Sequence, residues 1–145
     1  MARIKIDLPE HFSFTTEIPV RITDLNYGAH VGNDTLLSLI HEARMQWLIS
    51  FGYTSELNIE GIGLIMVDAG IEFKSELFYG EKIFASVAFA GLTKIGFDIY
   101  YKLEKGNSVE RSLIALAKTG MLCFDYQKRK ITPVPELFRS KLNHV

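Results

Sequence analysis

The chain has 145 residues, 48% of them hydrophobic and 23% charged, a composition that suits one folded domain and excludes a disordered chain. Lysine and arginine number 16 against 17 acidic residues, so a formal charge of -1 gives no electrostatic reason to expect nucleic acid or an anionic membrane as partner. The single cysteine, Cys123, rules out an internal disulfide and any multi-cysteine metal site, and suits a reducing, cytoplasmic setting.

The first residues, MARIKIDLPEHF, alternate charged with apolar side chains and have no continuous apolar stretch of the kind an export signal carries. Residues 12–23 then place Phe12, Phe14, Ile18, Val20 and Ile22 on one parity and Ser13, Thr15, Glu17, Arg21 and Thr23 on the other, which predicts a half-buried strand. Pro19 falls on the polar parity and has no N–H to donate, so the strand is expected at an edge or beside a bulge.

A polar run, DLNYGAHVGND, occupies residues 24–34 and leads into TLLSLIHEARMQWLISF, closed by Gly52. Asn33 and Asp34 suit the start of a helix, as acceptors for its free amides, and Gly52 suits its end. Leu36, Ile40, Ala43 and Trp47 form one stripe, and Leu37, Leu48 and Phe51 widen it beyond the single face of a surface helix, so burial on most sides is expected.

From residue 61 onward the period becomes two. Residues 61–74, 81–91, 94–105 and 108–124 read as four strands, and the short loops between them predict antiparallel neighbours. Ile62, Leu64 and Met66 share a parity opposite to Ile65 and Val67, so the first half of that strand is expected to be covered on both faces, as at a subunit interface. Asp68 continues the first parity, which predicts a covered carboxyl with a raised pKa. TPVPELFRSKL ends the chain with a short helical segment. The outcome is a single α+β domain over residues 1–145, with a mainly antiparallel sheet of about five strands curled around one long helix.

The order of these features, a strand ending at Asp24, the polar run, a long helix carrying HEAR at 41–44 and then IEFKSELFYGEKI at 71–83, resembles the hotdog-fold acyl-CoA thioesterases of the 4-hydroxybenzoyl-CoA thioesterase type. The resemblance implies a five-stranded antiparallel sheet wrapped around a central helix, a homodimer or dimer of dimers with active sites at the interface, and hydrolysis of a coenzyme A or carrier-protein acyl thioester without metal or redox cofactor. It matches Asp24, His30, Val31 and Asn33 to the family motif. Asn26 stands where many members carry the carboxylate credited with attack or base catalysis, Gly28 and Ala29 displace the usual Gly-His pair by one residue, and Gly32 replaces the first of two asparagines. Of the Asp, Asn, His and Glu set of the related plant acyl-carrier thioesterases, His30 and Glu76 have counterparts.

Thioester hydrolysis needs a donor for the developing oxyanion and an activated water; the thiolate leaves near neutral pH, since an alkyl thiol resembles cysteine, with a pKa near 8.5. Backbone amides around Val31, Gly32 and Asn33 at the helix start are the candidate oxyanion donors, with Asn26 as a second. Asp24, His30 and Asp68 are the candidate bases. Glu42, Glu76 and Lys94 are weaker candidates for contacts to substrate, as are Lys118 and the QKRK run at 127–130. Taken singly, Asp24, Asn26, Asn33 and Asp34 also suit turn and cap chemistry. Two other functions stay open: a hotdog dehydratase or hydratase pairing His30 with Glu42 across subunits, and a non-catalytic acyl-thioester binder.

Overall fold

The computed structural model describes residues 1–145. In chain order it contains β1 (Phe14–Pro19), a 3-10 turn (Ile22–Asp24), α1 (Asn33–Ser50), β2 (Gly63–Phe73), β3 (Lys82–Ala90), β4 (Gly96–Gly106), β5 (Arg111–Asp125), β6 (Lys130–Ile131) and α2 (Glu136–Asn143). The strands form one antiparallel sheet in the order β1-β3-β4-β5-β2, with the two-residue β6 added to β5. β3–β4 and β4–β5 are the antiparallel neighbours that their short loops predict, but β2 and β3, also joined by a short loop, are not paired: Leu77 and Phe78 bond to Val31 and His30 instead, and the chain passes from the β2 edge to the far side of β4. Pro19 closes the edge strand β1, where a missing N–H costs no ladder bond.

The inner face follows the alternation. Ile83, Ala85 and Val87 of β3, Phe97, Ile99, Tyr101 and Leu103 of β4, and Ala115, Ala117, Thr119, Met121 and Cys123 of β5 are all buried. They close over Leu36, Leu39, Ile40, Ala43, Trp47 and Leu48 of α1. Burial of side chains such as Ile40 and Leu48 stabilises by about 1.5–3 kcal/mol each, which holds an otherwise marginal single helix in place. Trp47–Phe51, Phe51–Phe138 and Phe97–Phe138 meet edge to face and Trp47 tilts against Phe97, tying α2 to the C-terminal end of α1. Gly52, at φ +96°, lets the chain turn out of the helix there.

α1 approaches β1 and β3 most closely. On its other side, facing β2 and β5, lies a cleft with a cavity at each end.

The register of β2 departs from simple alternation. Met66 pairs with Met121, but Asp68, not Val67, pairs with Gly120. The bulge at Val67 reverses the parity: Leu64 and Met66 lie on the inner face before it, and Ala69, Ile71 and Phe73 after it. Asp68 is thereby turned to the outer face, contrary to the covered position that its spacing from Leu64 predicts.

That outer face carries the N-terminal residues. Ile6 donates its amide to Glu72, Ile4 and Ile6 approach Gly70, and Phe12 lies beneath Lys102 of β4, whose Nζ is 5.1 Å from the ring centre. The charged and apolar alternation of this segment is that of an arm laid across a sheet.

Candidate active site at the start of the central helix

The 3-10 turn, the run 25–32 and the first turn of α1 build one corner of the molecule. Arg21 and Asp24 cap the turn reciprocally: the Asp24 carboxylate accepts the Arg21 amide at 2.8 Å and its guanidinium at 3.3 and 3.4 Å. Asp24 is buried and spent on this pair, so its place in the motif is explained by local structure, and it does not reach the cavity described below.

Asn26 makes an Asx turn, its Oδ1 accepting the Gly28 amide at 2.8 Å. Its backbone amide donates to the His30 carbonyl at 2.9 Å, and Ala29 takes a left-handed φ of 62° between them. Because Oδ1 is held in the turn, the Nδ2 end faces away from it, toward Gly32. A Cβ added at Gly28 would stand 3.1 Å from His30 Nε2 and 3.2 Å from Asn26 Oδ1, so the missing side chain keeps the space between these two groups open.

His30 and Val31 are fixed by the segment after β2. His30 bridges to Phe78, and the Val31 amide donates to the Leu77 carbonyl at 2.9 Å. His30 Nδ1 lies 3.3 Å from the Val31 carbonyl oxygen, which can only accept, so the neutral ring carries its proton on Nδ1 and a lone pair on Nε2.

Gly32, not Asn33 or Asp34, is the N-cap of α1. Asn33 and Asp34 lie inside the helix and neither supplies a capping hydrogen bond, which corrects the expectation from their side chains. The first intrahelical bond runs from the Leu36 amide to the Gly32 carbonyl at 3.1 Å. The amides of Asn33, Asp34 and Thr35 consequently point out of the helix end without a partner in the chain, and they carry the positive end of the helix dipole.

At Asn33 this helix end opens into a cavity of about 280 Å³ lined by His30, Val31, Gly32 and Asn33 on one side and by Phe73, Glu76, Leu77 and Ile114 on the other. The structure therefore brings His30, Val31, Gly32, Asn33 and Glu76 together, with Asn26 next to Gly32 behind them. Glu76 uses its carbonyl to accept Lys105 Nζ at 2.7 Å and leaves its carboxylate without an ion-pair partner.

The remaining candidates lie elsewhere. Asp68 projects from the outer face, its carboxylate 2.8 Å from Lys118 Nζ and from the Gly120 amide. The hydrogen bond from Lys118 holds its pKa below the ordinary carboxylate value, the reverse of the raised value expected from burial. Lys118 also meets Asp98 at 3.1 Å, and so is occupied there. Glu42 is exposed on α1 and accepts Gln46 Nε2 at 2.8 Å, so no His30–Glu42 pair forms within the chain. Lys94 sits in the exposed turn between β3 and β4, and residues 127–129 in the turn between β5 and β6, with Lys130 opening β6.

Sequence reasoning passed over two groups. A second cavity of about 670 Å³ shares Phe73 and Lys74 with the first and brings Arg3 and Lys5 of the N-terminal arm to its wall. A third, about 240 Å³, lies further along the cleft beside Arg44, which is buried between Glu56 (Nε to Oε1, 2.8 Å) and Tyr101 (Nη1 to the hydroxyl, 3.2 Å). In the sequence Arg44 shows as the last residue of HEAR, a charge inside an apolar helix stripe, with nothing to mark it as a cavity residue.

Comparison with known proteins agrees with this architecture. The family model of the thioesterase-like superfamily matches residues 20–142. The 1,4-dihydroxy-2-naphthoyl-CoA hydrolase of Microcystis aeruginosa is 30% identical over 125 residues, covering 82% of this chain and 81% of that protein. The crystal structure of a 1,4-dihydroxy-2-naphthoyl-CoA thioesterase from Synechocystis superposes with a TM-score of 0.80 at 25% identity, over 91% of this chain and 96% of that one. A gentisyl-coenzyme A thioesterase has the same fold, with a TM-score of 0.77 at 20% identity over 89% of this chain and 99% of that one. The chain belongs to the thioesterase-like superfamily and is a thioester hydrolase of the hotdog fold.

Proposed function

We propose that the protein hydrolyses an acyl-CoA thioester at the N-terminal end of α1. The observation that carries this reading is the uncapped helix start opening into the same cavity as His30 and Glu76. The thioester carbonyl oxygen is placed at the free amides of Asn33–Thr35, with Asn26 Nδ2 as a further donor, where negative charge grows as the carbonyl carbon becomes tetrahedral. A water between the carbonyl carbon and His30 loses its proton to Nε2, and its oxygen adds to the carbonyl carbon. Collapse of the intermediate breaks the carbon–sulfur bond, the thiolate takes up the proton, and free acid and thiol leave. Glu76 holds the imidazolium or the water through its unpaired carboxylate. An amide at position 26 suits this division of labour, because it is a donor where a carboxylate would repel the oxyanion.

Coenzyme A as the carrier is supported by the basic wall of the adjoining cavity. Arg3, Lys5 and Lys74 lie against a single carboxylate, Glu72, which Lys74 meets at 3.0 Å, so two cations remain for phosphate groups. Both relatives of higher identity act on a hydroxylated aryl-CoA, which makes aromatic acyl-CoA thioesters the first substrates to try.

A homodimer is supported by the open edge of β2. That strand is paired on one side only, is 11 residues long, and exposes Met66, Val67 and Phe73 by about half. A long apolar edge of this kind is stable in water when another strand covers it.

Thiol release from acyl-CoA thioesters, followed with a chromogenic thiol reagent, tests the reading. Cys123 is fully buried and burial pushes its thiol up to about 11, which disfavours its reaction with the reagent, and protein without substrate serves as the blank. Release that depends on protein concentration supports it; saturable binding of acyl-CoA with no release would make the chain a binder instead.

A further inference from the structure

The cleft between α1 and the β2–β5 edge does not end at the catalytic corner. Asn33, Leu37, Ile40 and Arg44 fall at i, i+4, i+7 and i+11, one stripe of α1 along the floor of the cleft. Opposite them run Phe73, Ile71, Ala69 and Met66 of β2, and Ala115, Ala117 and Thr119 of β5. Ala115 and Ala117 are fully buried beneath the cleft, Leu37, Ala69 and Phe73 stay exposed along its middle, and its far end is the cavity of about 240 Å³ walled by Leu37, Ser38, His41, Arg44, Met66 and Thr119.

That far end is polar although it lies among apolar residues. The side chain of Arg44 is 7% exposed, with Nε on Glu56 and Nη1 on the Tyr101 hydroxyl. Nη2 makes no hydrogen bond within the chain, yet no side-chain nitrogen or oxygen is both sealed from solvent and unpaired, so Nη2 faces the open cavity that Arg44 lines. Thr119 also lines this cavity, and its hydroxyl lies 2.9 Å from that of Tyr101. Glu56 is shared, with His41 Nε2 at 3.1 Å and Arg44 Nε at 2.8 Å, so the guanidinium charge is already balanced.

We propose that this recess is the specificity site for the far end of the acyl group, and that it selects a neutral hydroxyl oxygen, which accepts from Arg44 Nη2 and bonds to Thr119 Oγ1. The assignment rests on the reading of the helix start as the place of the thioester carbonyl. Arg44 lies 11 residues beyond Asn33, about 16 Å of axial rise, and its side chain leans back toward the helix N-terminus, which leaves room for a rigid group of roughly two fused rings between carbonyl and guanidinium. A carboxylate at that end would meet the Glu56 charge; a plain hydrocarbon would leave Nη2 unpaired on desolvation.

Calorimetric binding of two non-hydrolysable ketone analogues of an aryl-CoA, one with a hydroxyl at the far ring position and one without, tests this together with thiol release from the matching thioesters. The hydroxylated analogue is expected to bind about tenfold or more tightly, and Arg44→Lys and Thr119→Val are each expected to shrink that ratio, with far-ultraviolet dichroism reporting the fold. If Arg44→Lys does not fold, the wild-type ratio and Thr119→Val decide. Binding of the two analogues within about twofold of each other by the wild-type protein would overturn the recess as a hydroxyl site, whether or not thiol is released. Hydroxyl-selective binding without thiol release would keep the recess and overturn the hydrolase reading instead.

Discussion

Asn26 and Gly32 face each other across the entrance to α1: a Cβ added to Gly32 would stand 3.7 Å from Asn26 Nδ2 and 2.7 Å from Asp34 Oδ1. The absence of that carbon keeps the amides of the first turn approachable, and the Asx turn at Gly28 fixes which end of the Asn26 amide looks toward them. Asn26→Leu removes a donor without placing a charge, and is expected to lower kcat by about 10²-fold with KM nearly unchanged. Asn26→Asp keeps the turn but sets a negative oxygen beside the oxyanion, and is also expected to lower kcat. Steady-state thiol release checks both; a faster Asn26→Asp enzyme would make position 26 a base and not a donor.

Asp68 and Lys118 form an ion pair on the outer face, away from the cavity. The Lys118 hydrogen bond lowers the Asp68 pKa from 3.8 and raises that of Lys118 from 10.5. The sign follows from linkage: the pair contributes fully between those two values, is lost as pH falls through the depressed Asp68 pKa, and is lost again as pH rises through the elevated Lys118 pKa. Because the Asp68 side chain is 60% exposed, solvent screening keeps its worth under about 1 kcal/mol. Asp68→Asn is expected to melt slightly below wild type at pH 7, to lose most of that difference in strong acid, and to keep full kcat. Loss of kcat in this variant would return Asp68 to the catalytic set.

Tyr101 is fully buried at the centre of the Arg44–Tyr101–Thr119 chain of hydrogen bonds. Tyr101→Phe leaves Arg44 Nη1 and Thr119 Oγ1 each short of a partner, and is expected to cost about 1–3 kcal/mol. Urea unfolding with an unchanged slope and a lower midpoint is the expected outcome.

Val67 is both the bulged residue of β2 and about half exposed on its open edge. Val67→Lys places a charge where a second β2 is proposed to pair, and is expected to shift the protein from dimer to monomer in light scattering. A monomeric wild-type protein would contradict the proposed assembly.

The fold was legible in the sequence where a single period held over a whole element. Phe97, Ile99, Tyr101 and Leu103 alternate without interruption, and all four are buried as expected. Asp68 was misplaced because parity is carried along a strand only until a bulge, and Met66, Val67 and Asp68 contain no residue that marks one. Asn33 and Asp34 read as caps by residue type, whereas Gly32 takes the cap position by backbone conformation, φ −72° and ψ 156°, which any residue type can adopt. The meeting of Glu76 with His30 depends on the bridge between His30 and Phe78, a pairing of segments 48 positions apart in the numbering, and no local pattern encodes it. The basic wall from Arg3 and Lys5 depends likewise on the path of the N-terminal arm over β2.

The most direct measurement is kcat for thiol release by His30→Ala beside the wild-type protein, with thermal melting of both as the control for folding. The imidazole contributes to the fold only its contact with the Val31 carbonyl, so the melting temperature is expected to stay close to wild type. The account predicts a fall in kcat of about 10²–10⁴-fold at neutral pH. A His30→Ala protein that releases thiol at the wild-type rate would contradict it.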